Sequence, residues 1–436
     1  MSNHTMNLRR TSIFVLSLLT ISLNLLWAAP APTTITAQPD HSNGVYKEGE
    51  KINLTVSVTP KDGKPLTAVS YIIKRNGVTE VAKGKLPLTD NKATLTFTPE
   101  SFGSELVLFT AGEPPNNIKG ICGAVVAPEK FTQGTPCPED FDAFWQGKIK
   151  QLKAVPANPV LVSAPSEKEG VEYSKITMDN INGTHVYGQI ARPAKGTKFP
   201  AILQVQYAGV YPLQKVWVTG RAASGWLAMN IIAHDIPIDE KQEFYDNLTK
   251  GSLLNYTRIG ELDRETSYFV RMLLACYRAA EYLSTRPDWD GRVLVVTGNS
   301  QGGLQSFATA ALFPKMTGVI VGVPAGCNAV PAKDQPLGWP YWIQPNQNPK
   351  VSKTAPYFDA ATFAARVKCP VLIGVGLSDV TSPPWGVYSA FNQTKGPKEI
   401  VPMPSAEHRG RHDAFDQRSR AWLEALAKGN PPPIQH

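Results

Sequence analysis

Cysteine and histidine are scarce in this 436-residue chain, with five of the first and seven of the second. No group of His, Cys, Asp or Glu has the spacing of a metal site, so neither a metal nor another cofactor is expected. An odd number of cysteines leaves at least one thiol unpaired in an oxidising compartment. Cys122 and Cys137 flank a proline-containing stretch and could bridge, whereas Cys276, Cys327 and Cys369 read as free thiols near strand ends or in an apolar helix. Runs of like charge are also missing. The formal charge of +8 comes from scattered lysines and arginines without interleaved aromatics, so a soluble surface is expected and nucleic acid is not an expected partner. Internal repeats and low-complexity tracts are absent, and so, past the first thirty residues, is any apolar run long enough to span a bilayer. The N-terminus reads differently. Arg9 and Arg10, the apolar Ile13–Trp27 and the small Ala28, Ala29 and Ala31 have the order of a signal peptide covering residues 1–29. Ser17, Thr20, Ser22 and Asn24 interrupt a run already short for a membrane anchor, and no cysteine near Ala29 offers a lipid attachment point. The expected product is an exported protein, periplasmic or secreted, with no integral membrane span after cleavage.

Two patterns of hydropathy divide the rest. Ile52, Leu54, Val56 and Val58 alternate with polar residues, as do Ala93, Leu95 and Phe97, and Asn76-Gly77 is a hairpin turn signal. Residues 30–127 therefore read as a small all-β, immunoglobulin-like sandwich. Its role reads equally well as carbohydrate docking or as a spacer beside an active site. Ala127–Pro138, with prolines at 128, 136 and 138, reads as a linker. The second domain, 128–430, opens with the amphipathic spacing Phe141, Phe144, Trp145, Ile149 and Leu152, whose aromatics belong to the core. Continuous apolar runs then recur at Ala201–Val205, Trp226–Ile232, Val293–Thr297, Gly318–Val323 and Val371–Val375, alternating with helical patterns such as Glu265–Leu283. That is the pattern of an α/β fold with a doubly wound, mostly parallel sheet.

Gly298-Asn-Ser-Gln-Gly302 follows one of these runs and precedes the helix pattern Gln305–Leu312. A sharp strand-to-helix turn holds a serine hydroxyl clear of the backbone beside a base, which makes Ser300 a candidate nucleophile. In this fold the acid and then the base come later in the chain. Asp379 follows the run Pro370–Gly376, at the strand end where sites of open α/β sheets form. His408 lies between the last short strand, Glu399–Met403, and the final helix. His412 abuts that helix at Asp413 and reads better as a residue of the helix entrance. His234, after Trp226–Ile232, is the remaining rival, since His4, His41, His185 and His436 lie in the leader, the first domain, an early strand and the terminus.

Pro138-Glu-Asp-Phe-Asp-Ala-Phe-Trp145, Val296-Thr-Gly-Asn-Ser-Gln-Gly-Gly303, Val323-Pro-Ala-Gly-Cys327, Gly376-Leu-Ser-Asp-Val-Thr-Ser-Pro-Pro384 and the late His408 stand in one order. That order resembles the acetyl xylan esterases and cephalosporin C deacetylases, over about residues 128–428. The resemblance implies an α/β-hydrolase and serine esterase that deacetylates polysaccharides or oligosaccharides, with Ser300, Asp379 and His408 as triad. It also implies an oxyanion hole from the backbone N–H groups of Gln301 and Val210. Three turns depart from the family. Tyr207-Ala-Gly-Val210 replaces its Phe-His-Gly-Tyr, Ala233-His-Asp-Ile-Pro237 replaces its Arg-Gly-Gln-Gly, and Glu407 replaces the glycine before the base. These changes keep two other readings open, a broad carboxylesterase or peptidase on the same fold and a catalytically silent sugar-binding protein. The long segment Gly326–Pro349 carries Trp339, Tyr341 and Trp342, which with Tyr207 are the candidates for stacking on sugar rings, although lid packing would explain the first three as well.

Overall fold

The structure, a computed structural model, describes residue 1 and residues 33–60, 66–112 and 117–435, so the expected signal peptide lies outside the described residues apart from Met1. Among the described residues eight strands come first: β1 (Thr34–Pro39), β2 (Val45–Tyr46), β3 (Ile52–Thr59), β4 (Ala68–Arg75), β5 (Thr79–Pro87), β6 (Lys92–Phe97), β7 (Gly103–Ala111) and β8 (Ile118–Val126). They form two sheets, ordered β1-β3-β6 and β2-β8-β7-β4-β5, antiparallel throughout except for the short β2–β8 pair. Ile52, Leu54, Val56 and Val58 turn one face of β3 inward, as the alternation predicts. They share a core with Val69 and Ile73 of β4, Val107 and Phe109 of β7 and Cys122 and Ala124 of β8. Asn76 and Gly77, both at positive φ, make the tight turn between β4 and β5.

The nine strands that follow are β9 (Val160–Ala164), β10 (Val171–Asp179), β11 (His185–Pro193), β12 (Phe199–Val205), β13 (Leu227–Ile231), β14 (Trp289–Asn299), β15 (Gly318–Gly322), β16 (Val371–Gly376) and β17 (Lys398–Met403). They build a single sheet in the order β17-β16-β15-β14-β12-β13-β11-β10-β9. Pairing is parallel from β17 to β13 and antiparallel from β13 to β9. The apolar runs thus form the parallel part of the sheet, and three antiparallel strands extend one end of it. Among the described residues nine α-helices accompany the sheet: α1 (Phe141–Lys153), α2 (Val216–Ala223), α3 (Gln242–Lys250), α4 (Tyr268–Thr285), α5 (Gln301–Leu312), α6 (Pro349–Thr354), α7 (Ala360–Ala364), α8 (Pro384–Gln393) and α9 (Asp413–Ala427). Successive residues of β14 point to opposite faces. Leu294 and Val296 join the core under α1, α4, α5 and α7, while Val293 and Val295 join the one under α2 and α9.

The stretch expected as a linker is packed. Phe131 is buried and stacks on Trp385 of α8 at 4.4 Å between ring centres, and the Asn392 side-chain amide donates to the carbonyls of Pro128 and Phe131. Val125 of β8 belongs to the core of the large sheet, and a Cβ on Gly123 would lie 2.0 Å from the Leu377 carbonyl oxygen. The all-β region therefore sits directly against the loop after β16. Cys122 and Cys137 do not pair: the first is a buried free thiol in the all-β core, the second an exposed one beside Arg366.

Candidate active site

Ser300 occupies the turn between β14 and α5 with φ 57° and ψ −123°, a conformation that costs a non-glycine residue roughly 1–3 kcal/mol. Backbone hydrogen bonds hold it there. The Ser300 amide donates to Gly322 O at 3.0 Å, and its carbonyl accepts from Gly303 and Ala325 at 2.8 and 2.9 Å. Gly298 and Gly302 let the turn close, because a Cβ on Gly298 would stand 2.7 Å from the Gly302 backbone.

The parallel strands end on the same edge, so loops distant in sequence meet there. Asp379, in the turn after β16, is buried; its Oδ1 accepts from the amides of Thr381 and Ser382, both at 2.8 Å. Its Oδ2 lies 2.8 Å from Nδ1 of His408, and Nε2 of His408 lies 2.8 Å from Ser300 Oγ. Asp379 can accept only from a protonated Nδ1, which leaves Nε2 free to accept the serine proton. His412 stands at the entrance of α9 and makes no side-chain cap; its Nε2 instead donates to Glu407 O at 3.0 Å, bracing the loop that carries His408.

Gln301 is the first residue of α5, where a helix amide has no intrahelical acceptor. Among the described residues, neither its N–H nor that of Val210 has a hydrogen-bond partner. Val210 lies in the loop after β12, which buried side chains hold. Nε2–H of His234 donates to Gly209 O at 2.9 Å and its Nδ1 accepts from the Tyr268 hydroxyl at 2.6 Å. Burial drives the His234 pKa down to about 4, offset in part by the Gly209 hydrogen bond, so the ring is neutral. The Gly209 amide reaches the Tyr256 hydroxyl at 3.4 Å, and that hydroxyl donates to Oε1 of Gln301. Tyr256 thus joins the two segments that carry the free amides. The position of His234 after a core strand is visible in the sequence; nothing local marks Tyr256 or Tyr268 as its neighbours.

Of the aromatic candidates, Tyr207 is 47% exposed and stacks on Tyr211, and Tyr341 is 37% exposed. Trp339 is half-buried 6.0 Å from Phe269, and its amide donates to Thr381 O in the turn after Asp379. Trp342 is corrected. It is 2% exposed, donates its indole N–H to Thr257 O and packs on Phe269, so it presents no ring face to a ligand. Among the described residues no group of three or more His, Cys, Asp or Glu could hold a metal ion, and no helix is long and apolar enough to cross a membrane.

The profile of the acetyl xylan esterase family matches residues 129–426. An acetyl esterase, Axe7A of Xylanibacter ruminicola, is 27% identical over 437 residues, covering 96% of each chain. Among solved structures, acetyl xylan esterase 1 from Thermoanaerobacterium sp. JW/SL YS485 has a TM-score of 0.58 at 23% identity, covered to 97% by 68% of this chain. The acetyl xylan esterase from Paenibacillus sp. R4 has a TM-score of 0.57 at 21% identity, covered to 98% by 70% of this chain. These likenesses show an α/β-hydrolase fold, and about three tenths of this chain has no counterpart in either structure. With the profile spanning most of the chain, the protein belongs to the acetyl xylan esterase family and is a serine-type carboxylic ester hydrolase.

Proposed function

We propose that the protein is an exported esterase that removes acetyl groups from polysaccharides or oligosaccharides by acyl transfer through Ser300, His408 and Asp379. The observation that carries this reading is the unbroken chain of 2.8 Å contacts from Ser300 Oγ through His408 to Asp379. Ser300 Oγ attacks the acetyl carbonyl while Nε2 of His408 takes its proton, and Asp379 stabilises the imidazolium that forms. The negative charge that develops on the carbonyl oxygen needs donors already in place, and the unpartnered amides of Gln301 and Val210 supply them. His408 then protonates the departing sugar oxygen, and water, activated by the same imidazole, releases acetate from Ser300. In the same reading residues 1–29 are a cleaved leader, 30–127 an immunoglobulin-like sandwich and 128–430 the catalytic domain, with Tyr207, Trp339 and Tyr341 toward substrate.

The test is a fluorophosphonate probe together with Ser300→Ala. The native protein should label at Ser300 and hydrolyse acetylated oligosaccharides. The variant should fold normally, escape labelling and lose roughly 10⁴-fold or more in kcat. Turnover near the native rate by a folded Ser300→Ala protein would refute the assignment.

A further inference from the structure

On the face of the sheet covered by α2 and α9, a cleft of about 250 Å³ opens beside the nucleophile turn. Its lining includes Tyr207, Trp217, Arg221, Asn299, Asp416 and Ser419. Asn299 immediately precedes Ser300, and Tyr207 begins the loop that carries Val210, so the cleft is walled by the two segments that lead into the nucleophile turn and the second free amide. Arg221 is the unusual member. Among the described residues it is the one half-buried arginine whose side chain has neither a hydrogen bond nor an ion pair. Burial lowers its basicity with no neighbouring anion to offset the effect. A partly desolvated cation without a partner is costly, and the cost is recovered when an anion is brought to it. Asp416 does not serve, since it is exposed and more than 4.0 Å from the guanidinium.

The other groups of the cleft narrow the kind of anion. Tyr207 and Trp217 lie 6.3 Å apart and Tyr207 is 47% exposed, which gives an apolar wall on which the C–H face of a sugar ring can rest. Asn299, Asp416 and Ser419 supply donors and acceptors for hydroxyls. A planar guanidinium matches a carboxylate with two parallel hydrogen bonds. We infer that this cleft is a subsite for a uronic acid residue of the substrate, Arg221 pairing with its carboxylate and Tyr207 and Trp217 flanking its ring. The inference rests on the deacetylase reading and names the class of carbohydrate within it: an acidic one.

Two acetylated oligosaccharides of the same backbone, one bearing a uronic acid and one neutral, test the inference on the full-length protein. The wild type should prefer the acidic substrate by about tenfold in kcat/KM, mainly through KM, and the preference should shrink in high salt. Arg221→Gln should bring the ratio of the two kcat/KM values close to one, while Arg221→Lys, which keeps the charge and loses the fork, should retain part of it. A wild-type ratio of one, or a preference that survives Arg221→Gln, overturns the inference. So does an equal loss on both substrates with a lowered Tm, which would mark Arg221 as structural. Hydrolysis of p-nitrophenyl acetate but of neither oligosaccharide would instead count against the carbohydrate reading. The cleft would then be judged by glucuronate, which should inhibit p-nitrophenyl acetate hydrolysis in the wild type and not in Arg221→Gln; no inhibition of the wild type overturns the subsite.

Discussion

The amide of Gly123 in β8 donates to the carbonyl of Pro404 at 2.8 Å, and this bond ties the all-β region to the loop that leads to His408. A second tie runs from Ser405 Oγ to Ala37 O at 3.1 Å, and Ser378 Oγ joins the loops that carry Asp379 and His408 by donating to Pro404 O at 2.7 Å. β17 is the edge strand of the large sheet and has a sheet neighbour on one side only. The loops after β16 and β17 therefore gain from the all-β region a support that the sheet does not give them.

Gly123→Ala tests that support. The added Cβ meets backbone atoms of Leu377, which cannot rotate away, so a loss of about 1–3 kcal/mol in stability is expected together with a lower kcat on acetyl esters. Thermal unfolding and steady-state kinetics check it. An unchanged Tm and kcat would mean that the two regions separate at no cost.

His408→Ala and His412→Ala should behave very differently. The first removes the group between Ser300 and Asp379 and should cost roughly 10⁴-fold in kcat. The second loses one exposed hydrogen bond to Glu407 O, about 1 kcal/mol or less, and should leave most of the activity. Loss of activity in His412→Ala with an active His408→Ala would reverse the assignment of the base.

His234 should make stability depend on pH. Burial holds its folded-state pKa at about 4, below the usual value near 6.5, so between these values the unfolded chain binds more protons than the folded one. Stability from this group is accordingly full above about pH 6.5 and falls as the pH drops, by about 3 kcal/mol on reaching pH 4. Urea unfolding at a series of pH values should show this slope in the native protein and a shallower one in His234→Gln. Identical slopes would show that the ring titrates as if exposed.

Acyl chain length separates a deacetylase from a broad carboxylesterase. In the deacetylase reading each added methylene must find room in a site that takes acetyl, so kcat/KM should fall from acetyl to butyryl to octanoyl esters of one alcohol. A steady rise along the series would indicate a lipase-like site.

How much of this was legible in the sequence depends on the range of the interaction. The buried strand β14, the turn at Ser300 and the helix that starts at Gln301 follow from an apolar run and from glycines two residues either side of the serine, all within one stretch of chain. That Asp379 and His408 lie near Ser300 was readable because parallel strands deliver their C-terminal ends to one edge, whatever lies between them. Where an interaction depends on what another segment brings, the residues alone are ambiguous. Trp342 has the same composition signal as Tyr341, and only the packing of Phe269 and the carbonyl of Thr257 puts it inside. Cys122 and Cys137 flank a turn of the chain, yet Cys122 faces the all-β core and Cys137 faces solvent. The support of the His408 loop by Gly123, the bridge made by Tyr256 and the solitary charge of Arg221 join or isolate groups far apart in the chain. Local propensity encodes the strand, the turn and the order of Ser300, Asp379 and His408 along the chain. Tertiary packing decides which polar groups find partners, because burial and hydrogen bonding are properties of a place in the fold and a residue acquires them only when the rest of the chain has closed around it.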